Sequence, residues 1–166
     1  MTSRLGSAVT AKVIQHITGS SGLNVALAVL THGDHAAAPF VDAAQVRAQN
    51  VAADLAGRSE GVKYPSVNVY CETIVNQLRE KFRTFSGKAQ MVIEVRHSQD
   101  RLDGLQDRLE LYADGAMRML NASRGDWGDG MFYGGEYEAS FGPVKQGGKN
   151  FIQTAKVTFE IGVSRD

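Results

Sequence analysis

Between Asn150 and Ser164 the chain alternates without a break. Phe151, Gln153, Ala155, Val157, Phe159, Ile161 and Val163 interleave with Ile152, Thr154, Lys156, Thr158, Glu160 and Gly162, the period-two pattern of a strand with one face buried. At roughly 3.3 Å per residue the segment spans about 45 Å, well beyond the usual strand of about 5–6 residues. The chain must therefore build a sheet around it. The excess length predicts that part of the strand overhangs its partners within the subunit, leaving backbone N–H and C=O groups for a neighbouring subunit to complete. Phe151, Gln153, Thr158 and Glu160 are the interface candidates on it.

Upstream, Val67, Val69 and Cys71 alternate with Asn68 and Tyr70, and Met91, Ile93 and Val95 repeat the pattern through Arg96, giving two shorter strands. Between them Ile74, Leu78, Phe82 and Phe85 recur at spacings of four, four and three, which predicts an amphipathic helix ending at Ser86-Gly87. Ser98 is a candidate N-cap for a longer helix, with Asp100 in its first turn and Leu102, Leu105, Leu109, Tyr112, Ala116 and Leu120 as its apolar stripe. From Gly125 to Gly135 no core-forming period survives, so a long loop is expected there. Tyr137, Ala139 and Phe141 mark a third strand, and Gly147-Gly148 turns the chain into the final one as a hairpin.

The first part of the chain reads as helical. Leu5, Val9, Val13, Ile14 and Ile17 define one helix stopped by Gly19. Leu23–Leu30 is an apolar run that suits a short buried helix capped by Ser21, or a buried strand. His32 to Pro39 reads as a loop, and Asp42 to Gly57 as an alanine-rich helix, with an extended segment through Val46, Ala48 and Asn50 as the alternative. The whole predicts one α+β domain over 1–166, an N-terminal helical part (1–62) followed by a sheet-and-helix core (63–166). The sheet is expected to be mainly antiparallel, of about four strands, with helices on one face and a long C-terminal hairpin strand.

Charge excludes more than it suggests. Eighteen Lys and Arg balance eighteen Asp and Glu, so no global field attracts nucleic acid or an anionic membrane. One cysteine, Cys71, rules out an internal disulfide and suits a reducing compartment. With no run of about 18 apolar residues and no signal-peptide core, the expectation is a soluble protein made in a cytoplasm.

Local patterns carry the functional candidates. Asp103, Asp107, Glu110 and Asp114, spaced four, three and four, fall within about 60° of one another on a helix. They form either a solvated face, with Asp114–Arg118 as its one relief, or an acidic lining that keeps a passing DNA duplex from sticking. Trp127, Phe132 and Tyr133 in the glycine-rich stretch are either interface aromatics or caps on the subunit's own core. His32 and His35 flanking Asp34 match zinc spacing poorly. Cys71 reads as a small core residue, not a nucleophile. With no phosphate loop, nucleophile elbow or catalytic carboxylate pair, no enzyme, cofactor or metal is expected.

The runs Tyr64-Pro65-Ser66-Val67-Asn68-Val69-Tyr70, Glu80-Lys81-Phe82-Arg83-Thr84-Phe85-Ser86-Gly87 and Gly134-Gly135-Glu136-Tyr137 through Gly147-Gly148-Lys149-Asn150-Phe151 resemble the small neck and tail-completion proteins of long-tailed bacteriophages, the tail terminators above all. The similarity covers about Tyr64 to Arg165. It implies a non-enzymatic virion protein, assembled in the host cytoplasm, that forms a homo-oligomeric ring of about six copies. Its implied partners are the tail tube protein and a head-completion or connector protein, with DNA only passing through the lumen. A head-tail joining protein or another minor tail protein fits the same resemblance. A different class, a cytoplasmic small-molecule-binding protein or enzyme using Gly125–Gly135 as a lid, is the alternative.

Overall fold

The structure, a computed structural model, describes residues 4–34, 38–52, 55 and 62–166. Its elements run α1 (Leu5–Thr18), α2 (Leu23–Leu30), a 3-10 turn (Ala43–Gln45), β1 (Val46–Ala48), β2 (Ser66–Asn76), β3 (Phe85–Gln99), α3 (Leu105–Ala122), β4 (Gly125–Gly128), β5 (Met131–Phe141), β6 (Lys145–Gly147) and β7 (Asn150–Arg165). The α+β class holds. The sheet is not a simple four-stranded antiparallel one. It has seven strands in the order β1-β2-β3-β7-β5-β4, with β6 also on β7, and the β1–β2 pair is parallel.

The final strand is the centre of this sheet. Its alternation is as expected, with Gln153, Ala155, Val157, Phe159, Ile161 and Val163 buried and facing α3. Its expected overhang is absent: β3 pairs with it continuously from Phe151 to Arg165, while β5 and β6 occupy most of its other side. The reason is that β3 is itself 15 residues long, far longer than its Met91–Arg96 alternation indicated.

The predicted helix over Ile74–Phe85 is also absent. β2 runs on to Asn76, and Phe85 already belongs to β3. Thr73, Ile74 and Val75 form a β-branched run that loses rotamer freedom in a helix and fits a pleated ladder, and Thr73–Asn76 pair with Gly87–Gln90. The longest helix starts at Leu105, not after Ser98, because Ser98 and Gln99 stay in β3 opposite Ile152 and Phe151. Gly104, at φ 77°, occupies its N-cap, and Leu102 lies outside the helix, 59% exposed. Asp42 caps only the 3-10 turn, accepting from Ala44 N at 3.0 Å. The extended alternative then holds, as Val46–Ala48 join β2. The rest of that predicted helix, 53–54 and 56–57, lies outside the described residues. Thus the N-terminal part is not wholly helical: it contributes a strand.

The glycine-rich stretch Gly125–Gly135 is a hairpin, β4 against β5. Asp129-Gly130 make its turn; Gly130 has φ 74°, and a Cβ there would sit 2.1 Å from the Ser164 carbonyl oxygen, so only glycine fits.

One core holds the layers together. Val9, Val13 and Ile17 of α1, Leu23 and Leu27 of α2, and Leu109, Tyr112, Ala116 and Leu120 of α3 meet Val67, Val69, Met91, Ile93, Val95, Val157, Phe159 and Ile161 of the sheet. α1 and α2 together, Leu5–Leu30, have the length and apolar composition of a membrane span. The chain breaks at Gly19–Gly22 and both helices bury one face in this core, which accounts for their apolarity. α2 caps with Gly22, not Ser21.

Candidate assembly surface

Where β1 ends, β2 continues with no strand on its outer side among the described residues. β1 covers only Val67–Val69. A bulge at Glu72 interrupts the edge between Cys71 and Thr73, and Thr73, Ile74, Val75 and Asn76 follow as an exposed run. Ile74 is 46% and Val75 44% exposed.

The chain then enters a loop, 77–84, whose apolar side chains point away from the subunit: Leu78 is 69% exposed and Phe82 fully so. Both hold left-handed backbone, φ 50° and 68°, unusual for bulky residues and costing of order 1–3 kcal/mol each. Hydrogen bonds impose that shape. Asn76 Oδ1 accepts from Leu78 N at 3.2 Å and Ser86 N at 3.1 Å, and Asn76 Nδ2 donates to the Thr84 carbonyl at 3.3 Å. Ser86 Oγ accepts from Glu80 N at 3.0 Å, and Glu80 Oε2 accepts from Ser164 Oγ at 2.9 Å. Arg83 pairs with Glu80 at 3.3 Å and with Asp166. An exposed loop so thoroughly braced presents Leu78 and Phe82 without further ordering on contact. Sequence reasoning placed both on a helix and missed them as contact residues; the better signal was the β-branched run Thr73-Ile74-Val75, which favours a strand over a helix.

The aromatics expected at an interface divide. Trp127 is 8% and Tyr133 1% exposed. Trp127 Nε1 donates to the Ser123 carbonyl at 2.6 Å, and its ring lies 4.2 Å from that of His16 and 5.8 Å from that of Tyr133. Burial raises the Tyr133 hydroxyl to about 12. These two cap the subunit's own core, the bland of the two sequence readings, and the stretch is no lid. Phe132 alone, 55% exposed, remains available on the sheet's helix-free face.

On β7, Gln153 is 4% exposed and donates to the Gly142 carbonyl at 2.9 Å, so it faces the interior. Phe151 is half-buried opposite Gln146 of β6. Thr158 lies half-buried between β3 and β5. Glu160 is exposed on the helix-free face and paired with Lys88 at 2.9 Å.

Asp107, Glu110 and Asp114 do share an exposed face of α3. Gln106 Nε2 donates to Glu110 Oε1 at 3.0 Å, and no ion pair joins Asp114 to Arg118 among the described residues. Asp103 precedes the helix, its carbonyl accepting from Gln99 Nε2 at 2.7 Å. Three of the four acids thus form the expected stripe.

Chemical candidates find little company. His32 is exposed, His35 lies outside the described residues, and no metal-ligand group of three occurs among the described residues. Cys71 is half-buried against the core, and burial pushes its thiol pKa up, away from reactivity. A groove of about 700 Å³ on the sheet face away from α3 is lined by Ala52, Glu94, Ser140, Lys145, Thr154 and Lys156.

Comparison of the chain with protein-family models and with curated proteins finds no match.

Proposed function

We propose that this protein is a structural subunit of a bacteriophage neck, a tail terminator that caps the tail tube as a ring of about six copies and joins it to the head. It works through subunit contacts and performs no chemistry. It is made in the host cytoplasm and resides in the virion, its partners being further copies of itself, the tail tube protein and a head-completion or connector protein. A head-tail joining or other minor tail protein would use the same surfaces.

The observation that carries this reading is the braced loop 77–84 with its open strand edge. Ile74, Val75, Leu78 and Phe82, within nine residues of chain, are large apolar side chains that an isolated subunit leaves largely in water, at a cost of roughly 25 cal/mol per Å² of apolar area. Clustered exposure of this kind marks an interaction site, and no comparable chemistry competes with it. The small-molecule reading keeps surface grooves such as the one at Glu94 and Lys156 but not its lid, which is part of the sheet.

Size-exclusion chromatography with light scattering, negative-stain imaging and tail-tube pull-down of purified protein test the proposal. Rings or tube binding are expected, both lost in L78S/F82S. A stable micromolar monomer that neither forms rings nor binds tubes sinks it, as does a metabolite that stabilises the monomer and blocks no assembly.

A further inference from the structure

We propose that subunits join edge to edge, the open run Thr73–Asn76 of β2 in one copy adding antiparallel to the open run Tyr137–Phe141 of β5 in the next. This inference rests on the ring reading and names the contact that would close it.

Strand polarity makes the joint possible. β2 is antiparallel to β3, β3 to β7 and β7 to β5, so β2 and β5 run in opposite directions at the two sides of one four-strand block. Rotation that keeps strand direction then brings β2 of one copy antiparallel to β5 of the next. Such a contact is heterologous, the kind that generates rings.

Both runs are open and suited to pairing. β4 pairs only with Met131–Tyr133, so beyond the irregularity at Gly134–Glu136 the outer side of Tyr137–Phe141 has no strand among the described residues. Neither run contains Lys or Pro, the usual protection of an edge, and Thr, Ile, Val, Tyr and Phe suit a ladder. The apolar side chains match in face. Ile74 lies opposite Ala89, on the helix-bearing side, and Tyr137 and Phe141, 36% and 42% exposed, lie on that same side opposite Phe159 and Ala155. A groove of about 640 Å³ between α1 and β2, lined by Gly6, Thr10, Ile14, Val69 and Cys71, lies next to the β2 run, short of Thr73.

The charges agree as well. Antiparallel addition carries loop 77–84 past the start of the β5 run, bringing exposed Lys81 towards exposed Glu138; Arg79 instead shares a groove with Glu136 of its own subunit. Neither Lys81 nor Glu138 has an ion-pair partner among the described residues.

The two runs are not level within a subunit. Through the register, Thr73–Asn76 align with β7 160–163 and Tyr137–Phe141 with β7 155–159. Joining them needs a slip of about 4–5 residues, ~15 Å, per block of four strands, ~19 Å wide. That slope is about 40°, within the strand tilt of closed barrels, roughly 35–45°. The stagger is therefore of a size that a closed sheet accommodates.

Cysteine pairs read the contact directly. In a C71S background, I74C is combined with Y137C, A139C or F141C and oxidised mildly, cross-strand Cα separations of about 4.5–5.5 Å being within disulfide reach. At least one pair is expected to give a ladder of covalent oligomers on a non-reducing gel, with each single-cysteine protein remaining uncrosslinked. I74K, exposed and so compatible with folding, is expected to shift the ring to monomer. Rings that form while no pair cross-links and I74K assembles normally overturn the edge contact and leave the ring reading standing. A cross-link from I74C alone means β2 pairs with its own copy and overturns it too. If no oligomer or tube binding is seen with the parent protein, the ring reading itself falls and this contact with it.

Discussion

His97 sits on the core face of β3, 5% exposed, its ring 5.7 Å from that of Tyr112. Burial lowers its pKa from 6.5, the nearby Arg108 charge adds to this, and the hydrogen bond with Gln99 opposes it. Below about pH 6.5 the unfolded chain takes up a proton at this site that the folded protein resists. The unfolded state then binds more protons, so stability declines as pH falls from about 6.5 towards the depressed folded value, and is unaffected by this group above it. His16, lowered by burial against Trp127 and by Lys12, acts in the same direction. We expect the urea midpoint of H97Q to fall less than that of the parent between about pH 7.5 and 5.5. An equal fall would place the acid sensitivity elsewhere.

Among elements, the α2–α3 contact depends on Gly115. A Cβ there would lie 2.9 Å from Leu27 Cδ2 and 3.1 Å from Leu23 Cδ1, so absence of a side chain sets how closely the two helices pack. G115L should destabilise by about 1–3 kcal/mol or more through overpacking. G115A should be near neutral, helix propensity offsetting the push on a flexible leucine tip. Chemical denaturation of both separates the contributions, and equal midpoints for G115L and the parent would contradict the packing account. The β2–β3 hairpin shows the converse case, where local pattern misleads. Ile74, Leu78, Phe82 and Phe85 share a helical spacing, yet one lies on a strand edge, two on a loop and one on the next strand, because the ladder from Cys71 to Asn76 satisfies the backbone there.

At the scale of the whole molecule, the acidic stripe lies on α3 and the open runs on β2 and β5, so the proposed ring contact and the proposed lining can be tested apart. Reversing Asp107, Glu110 and Asp114 to lysine, all exposed, should leave folding and ring formation intact while impairing DNA delivery, because added cations hold phosphates that acids repel. Infectivity in a complementation assay, with ring formation scored alongside, checks this; unchanged infectivity removes the lining role. If the ring fails, the stripe is a contact surface instead.

The alternation from Phe151 to Val163 by itself determined that a long half-buried strand exists and which side chains share a face, because period two is a property of the backbone. The stripe of α3 from Leu105 and the burial of α1 were legible on the same ground. Which strands flank β7, and so whether it overhangs, was decided only in three dimensions, because pairing depends on where β3 ends, on the parallel arrival of β1, and on the bulges at Glu72 and Gly134–Glu136. None of these leaves a period in the sequence. The open runs fell to β2 and β5 for that reason, and the contact we propose lies on these two strands and not on the one whose alternation is plainest.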